Sequence, residues 1–126
     1  MENRTPWKSN SLISEKSFLF SLEIMKLYRK LKEGKEYDIG RQILRAGTSI
    51  GANVSEALAA QSKKDFISKM SIASKESRET HYWLLLINES RLITYDLRPL
   101  LSNCEEIMRI LTAIVKTSKE KLKTEN

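Results

Sequence analysis

RQILRAGTSIGANVSEALAAQSKKDFISKMSIASKESRETHYWLLL, residues 41–86, is the stretch that decides the fold. It opens with apolar residues at helical spacing and fills the same turns with small ones: Ala46, Gly47, Ser49, Gly51 and Ala52. A glycine inside a helix costs roughly 1 kcal/mol relative to alanine. Gly47 and Gly51, one helical turn apart, therefore need a reason, and close approach by another helix, within or between protomers, supplies it. After Ser62 a second and longer helical pattern begins. The pair reads as two long helices packed at short range, with Ser62-Lys-Lys-Asp65 resembling a capping box that opens the second.

The pattern extends in both directions. Upstream, Ile13, Ser17, Phe20, Ile24, Leu27 and Leu31 alternate steps of four and three, the seam of a bundle helix over about 11–32. Phe18, Leu22 and Met25 lie roughly 140–200° from that seam at 100° per residue. The helix is thus apolar over a wider arc than one buried face requires. A broad core face with some exposed apolar residues is one account, and a second face buried in an oligomer is the sharper one. Gly34 suits the C′ position after this helix. The helix that follows, over about 38–60, carries Ile39, Ile43, Ala46, Ile50, Val54 and Ala57, with Asp38 as its cap or first-turn anion. The third, over about 63–92, carries Phe66, Met70, Ala73, Ser77, Thr80, Leu84 and Ile87. Its end, residues 82–87, is apolar all round. The fourth, over about 97–122, follows Asp96 as cap, tolerates Pro99 in its first turn, and carries Leu97, Leu101, Cys104, Met108, Leu111, Val115 and Leu122. No segment alternates as a strand would. Short links between long helices predict an all-α, antiparallel up-down-up-down four-helix bundle over 11–123, with a flexible arm at 1–10 and a tail at 124–126.

Bulk composition agrees with one such domain. The chain has 126 residues, 40% of them hydrophobic and 30% charged, and a single cysteine that allows no internal disulfide. No window is long and apolar enough to span a membrane, and the N-terminal residues MENRTPWKSN lack the apolar stretch of a signal peptide. A cytoplasmic location, with no membrane partner, is the expectation. The 22 Lys and Arg against 16 Asp and Glu give a net charge of +6. Such an excess fits a solvated surface, and it equally fits a polyanionic partner. It is uneven: between Lys26 and Arg45 seven basic residues stand against three acidic ones, and between Arg109 and Lys123 five basic residues face Glu120 alone.

Enzyme constellations are missing. A bundle di-metal centre needs two Glu-x-x-His motifs, whereas His81 is the single histidine and Glu79 lies two positions before it. Glu56, Glu76 and Glu79 then suit a structural network with Arg45 or Arg78. Cys104 sits on an apolar stripe as a small core residue. Gly47–Asn53 lacks the Gly-Lys-Ser/Thr end of a phosphate loop and no strand precedes it. No enzyme activity, cofactor, metal or small-molecule substrate is expected.

Read together, S-I-G-A-N-x-x-E-A (49–57), S-K-K-D-F (62–66) and E-x-R-E-T-x-Y-W-L (76–84) resemble a known family. It comprises the four-helix-bundle proteins encoded by intervening sequences in bacterial 23S rRNA genes. A related branch is the accessory variability protein of diversity-generating retroelements. The resemblance implies a homopentameric barrel and a nucleic-acid role, either direct RNA or DNA binding or association with a nucleic-acid-processing protein. It implies no catalysis. The alternative is a purely structural or protein-interaction module. The motif residues Gly47, Gly51, Asn53, Glu56, Glu76, Glu79 and Trp83 serve as structural candidates. The nucleic-acid candidates are Lys35, Arg41, Arg45, Lys63, Lys64, Lys69 and Arg78, of which Arg45 has the alternative of an internal pair with a glutamate. No base-reading motif accompanies them, so contacts should be to phosphates and weakly sequence-specific.

Overall fold

The computed structural model describes residues 11–125, so the expected arm at 1–10 and the last residue of the tail lie outside the described residues. Four helices account for nearly all of it: α1 (Leu12–Glu33), α2 (Tyr37–Leu58), α3 (Lys63–Ser90) and α4 (Arg98–Glu125), with no strand among the described residues. The local chemistry at their starts explains the boundaries. The Ser11 hydroxyl accepts from the Ser14 N–H at 3.4 Å, and the Ser62 hydroxyl accepts from the Asp65 N–H at 3.0 Å. The Asp96 carboxylate accepts the Arg98 N–H at 3.1 Å, and Pro99 follows where a missing N–H costs nothing. Asp38 is not the α2 cap. Glu36 holds that position, and Asp38 is a first-turn anion favoured by the helix dipole.

The turn between α1 and α2 departs from expectation. Gly34 has φ −83°, and Lys35 takes the left-handed conformation at φ 63°. The N–H of Glu36 reaches back to the Leu31 carbonyl at 2.8 Å and that of Lys35 to Lys32 at 3.0 Å. This is the Schellman pairing with Lys35, not Gly34, at C′. Gly34 is small for another reason: a Cβ there would lie 3.3 Å from the Ile93 side chain.

Each helix packs against its sequence neighbours, and α1 closes the square against α4 along the thinnest seam; the diagonal pairs α1/α3 and α2/α4 do not meet. Gly47 on Ile24 and Gly51 on Ser17 run in opposite order along α2 and α1, as do Arg45 with Glu76 and Glu56 with Lys69 along α2 and α3, so these neighbours are antiparallel. The α1 seam is Ile13, Ser17, Phe20, Ile24, Leu27 and Leu31, all buried. In α3 Ile67 is buried where Phe66 was expected, with Phe66 half-buried beside it. In α4 the innermost stripe is Leu100, Cys104, Ile107 and Leu111, continued by Leu97 just before the helix; Leu101, Met108 and Val115 flank it half-buried. Both shifts are of one residue, within the breadth of a bundle face.

The two motif glycines explain the α1–α2 contact. A Cβ on Gly47 would stand 2.7 Å and 2.8 Å from the two branches of Ile24, and one on Gly51 would stand 3.3 Å from the Ser17 carbonyl. The close approach is therefore within the chain. The hydroxyls buried along the core, Ser17, Ser77 and Thr80, each donate to a carbonyl three or four residues earlier, so no buried donor is wasted. Outside the core, apolar side chains are exposed in groups on two diagonal helices and singly at the two ends of α2, Tyr37 and Leu58. Leu12, Leu19, Leu22 (43% exposed) and Met25 line the outside of α1, and Tyr82 (58%), Leu85 and Leu86 the outside of α3.

Candidate nucleic-acid interface

The structure divides the expected cations into two groups. On α2 and its seam with α3 they are neutralised. Arg41 pairs with Asp38, and Lys69 pairs with Glu56 at 3.2 Å. Arg45 spans to α3, donating to Glu76 at 3.3 Å and to Glu79. Glu79 also accepts the Trp83 indole N–H at 3.1 Å. That indole bond, with Arg45 beside it, holds the Glu79 carboxyl below its ordinary range despite partial desolvation. Asn53 caps its own helix turn, its amide donating to the Ser49 carbonyl at 2.9 Å. Glu56, Glu76, Glu79 and Trp83 thus form one ladder that laces α2 to α3. Arg45 and Lys69 are ion-paired within it, and Arg41 is paired inside α2 alone, so each of these three phosphate candidates already has an acidic partner. Lys35 occupies the strained C′ position of the first turn, away from the remaining candidates. Lys63 rims a small notch with Phe66, Ile67, Ser118 and Lys121.

Lys64 and Arg78 behave differently. Both line a groove between the outer faces of α3 and α4, with Lys75, Lys116, Lys119 and Lys123. Lys119 belongs to both halves, which makes the groove continuous. From Lys64 to Arg78 it extends about 21 Å at 1.5 Å per residue. No carboxylate lines it, and none of its six cations has an ion-pair partner among the described residues. Lys75 lies close enough to Glu79 to favour that carboxylate's charged form, without pairing to it. The floor is made of Ser71, Ser74, Ile67, Thr112, Val115 and Leu122. Such a surface attracts an extended anion and offers hydroxyl donors at its base, but holds no aromatic side chain for stacking a base.

Other hollows are poorer candidates. A cleft at the α1–α4 seam has Lys16 paired to Glu106 at 3.0 Å and is also lined by Glu23, so acids outnumber bases in it. His81 meets Glu105 at 3.0 Å across α3 and α4, an isolated pair with no nucleophile in it. Cys104 is buried, its thiol directed at the Ser77 carbonyl at 3.4 Å, and burial pushes its pKa up to about 12. A thiol so placed is unreactive. Among the described residues no three His, Cys, Asp or Glu side chains gather as metal ligands, and no helix is long and apolar enough to cross a membrane.

Four of the groove's cations, Lys75, Lys116, Lys119 and Lys123, were absent from the sequence-based candidates. The signal was present in two forms. The basic excess after Arg109 marked the end of α4, and the steps 116, 119, 123 place three lysines on one helical face. What spacing along one helix could not supply is which helix that face meets.

Comparison with known proteins follows the same architecture. A family model described as 23S rRNA-intervening sequence protein matches residues 9–113. A crystal structure of a protein with unknown function from the S23 ribosomal protein family of Bacteroides thetaiotaomicron is similar at TM-score 0.79 and 44% identity. That match covers 83% of this chain and 99% of the other. No curated protein matches the chain. Lys116, Lys119 and Lys123 lie beyond the residues that the family model matches. With the fold and most of the described chain accounted for in this way, the protein belongs to the 23S rRNA-intervening sequence protein family.

Proposed function

We propose that the protein is a non-enzymatic, basic, homo-oligomeric scaffold that binds the phosphate backbone of nucleic acid through the α3–α4 groove. The observation that carries this is the groove's six cations on two facing helices, none ion-paired among the described residues, with no carboxylate in the lining. Arg41, Arg45 and Lys69, the expected cations on α2 and its seam with α3, are instead matched by acids, whereas the groove gathers six cations on two facing helices. Phosphate contacts position a nucleic acid without reading bases, and nothing in the groove is built to read them.

Self-association is supported by the apolar outer faces of α1 and α3. These helices are diagonal in the bundle, so the two patches point away from each other. Two different patches on opposite sides favour a head-to-tail contact that closes into a ring, in preference to a two-fold dimer. Five copies are what the family resemblance implies. A ring repeats the groove around its rim and turns weak phosphate contacts into avidity where one polyanion spans several protomers.

The same apolar faces favour the second reading, a protein-interaction module that binds no nucleic acid. Two measurements on the full chain separate them. Light scattering is expected to give a multiple of 14.6 kDa, and a monomer at micromolar concentration overturns the assembly. Mobility shifts at low salt with a structured RNA and a scrambled duplex are expected to show binding to both. Absence of binding to either leaves the protein-interaction module.

A further inference from the structure

We infer that the occupant of the α3–α4 groove is a single nucleic-acid strand laid along the helices with its bases outward; this rests on the nucleic-acid reading above. Three features of the groove separate a strand from a duplex.

The first is width. Two packed helices have axes about 8–10 Å apart, so the furrow between them admits one phosphodiester chain. A duplex, whose major groove alone is about 12 Å across, is too broad to descend and rests on the rims.

The second is the arrangement of charge. Lys64, Lys75 and Arg78 stand on the α3 rim and Lys116, Lys119 and Lys123 on the α4 rim. A single row of phosphates between them is approached by cations from both sides along about 21 Å.

The third is the floor. The hydroxyls of Ser71 and Thr112 line the groove, and neither makes a hydrogen bond within the chain among the described residues. They are free to donate to phosphate oxygens or to accept from a ribose 2′-hydroxyl. A chain lying in the furrow reaches both, the half-buried Ser71 as well as the exposed Thr112. The groove's own lining holds no aromatic side chain, and half-buried Phe66 lies in the adjoining notch that shares Ile67. Bases along most of the groove therefore find no stacking platform and face solvent, which makes the site weakly sensitive to sequence.

The test uses the full chain and a fluorescent RNA of about 15 nucleotides and mixed sequence, single-stranded or annealed to its complement, at low salt. The single strand is expected to bind about tenfold tighter than the duplex, a gap that comes from contacts made only inside the furrow. Replacing both floor hydroxyls, Ser71→Ala with Thr112→Val, should weaken the single strand several-fold and leave duplex affinity and the melting temperature unchanged. A duplex that binds as tightly as the strand overturns the inference while leaving nucleic-acid binding in place. So does a single-strand affinity indifferent to the two floor substitutions. No binding to either probe overturns the inference together with the function on which it rests.

Discussion

The α2–α3 seam and the α3–α4 groove share one helix and both carry basic residues, yet they are electrostatic opposites. Along the seam each cation meets a carboxylate: Lys69 with Glu56, Arg45 with Glu76 and Glu79. Along the groove Lys64, Lys75, Arg78, Lys116, Lys119 and Lys123 meet none. Counting Lys and Arg in the sequence therefore does not locate an anion site; what locates it is which cations the fold leaves unmatched. The seam should govern stability and the groove should govern binding.

The largest effect on stability is expected from α2, which takes no part in the groove. Gly47→Leu forces a side chain into Ile24, where even a Cβ would stand at 2.7 Å. Overpacking of this kind costs about 1–3 kcal/mol. Denaturant melts should register that loss, while the folded fraction binds RNA with the parent's affinity. Reduced affinity in the folded fraction would show that packing and binding are not separable.

Arg45→Met comes next. It strands Glu76, whose side chain is only 13% exposed, and removes one of two donors to Glu79. A loss of about 1 kcal/mol is expected for an ion pair at this depth, with RNA affinity unchanged. A weakened affinity would return Arg45 to the binding surface.

A smaller effect separates the indole from the guanidinium. Glu79 is held below its ordinary range first by the Trp83 indole N–H and then by Arg45. A carboxylate with a lowered folded pKa stabilises fully above its unfolded value of about 4.3 and loses that contribution as pH falls through the folded value. Trp83→Phe should therefore destabilise more at neutral pH than in acid. Melting temperatures against pH for parent and variant should converge on the acid side, and parallel curves would remove the indole bond from the account.

The smallest change is at the first turn. Lys35 sits at φ 63°, where a side chain is disfavoured. Lys35→Gly should be neutral or stabilising by up to about 1 kcal/mol, with binding unaffected because Lys35 lies outside the groove. Weaker binding would restore Lys35 as a contact.

How far the sequence reached follows from which features are local. Steps of four and three gave the α1 seam residue for residue, because burial on one helix face is written in its own period. Ser62 and Asp96 announced the starts of α3 and α4 because a cap acts within one turn. Gly47 and Gly51 announced a close approach, since helix-interior glycines need one. That the approaching helix was α1 of the same chain was not readable, because a glycine records the gap and not its occupant. The same limit applied to charge. Arg45 and Lys69 had no paired residue nearby in sequence; Glu76 and Glu56 come to them only across the α2–α3 seam. Lys116, Lys119 and Lys123 looked like a soluble helix end until α3 supplied the other rim. Gly34 misled for a different reason: residue preference favoured glycine for the left-handed position, whereas the turn placed Lys35 there and used Gly34 to admit Ile93.

The most direct test of the division is the salt dependence of binding to the single-stranded RNA, measured for the parent and two variants. Neutralising the α4 rim with Lys116→Gln, Lys119→Gln and Lys123→Gln removes three phosphate contacts, and the slope of log affinity against log salt should become shallower by about 2 per groove. Neutralising Arg41 and Arg45 with Arg41→Gln and Arg45→Gln should leave the slope where it was. A groove variant that keeps the parent's slope, or a seam variant that loses it, would contradict the assignment of the unpaired cations to the nucleic-acid backbone.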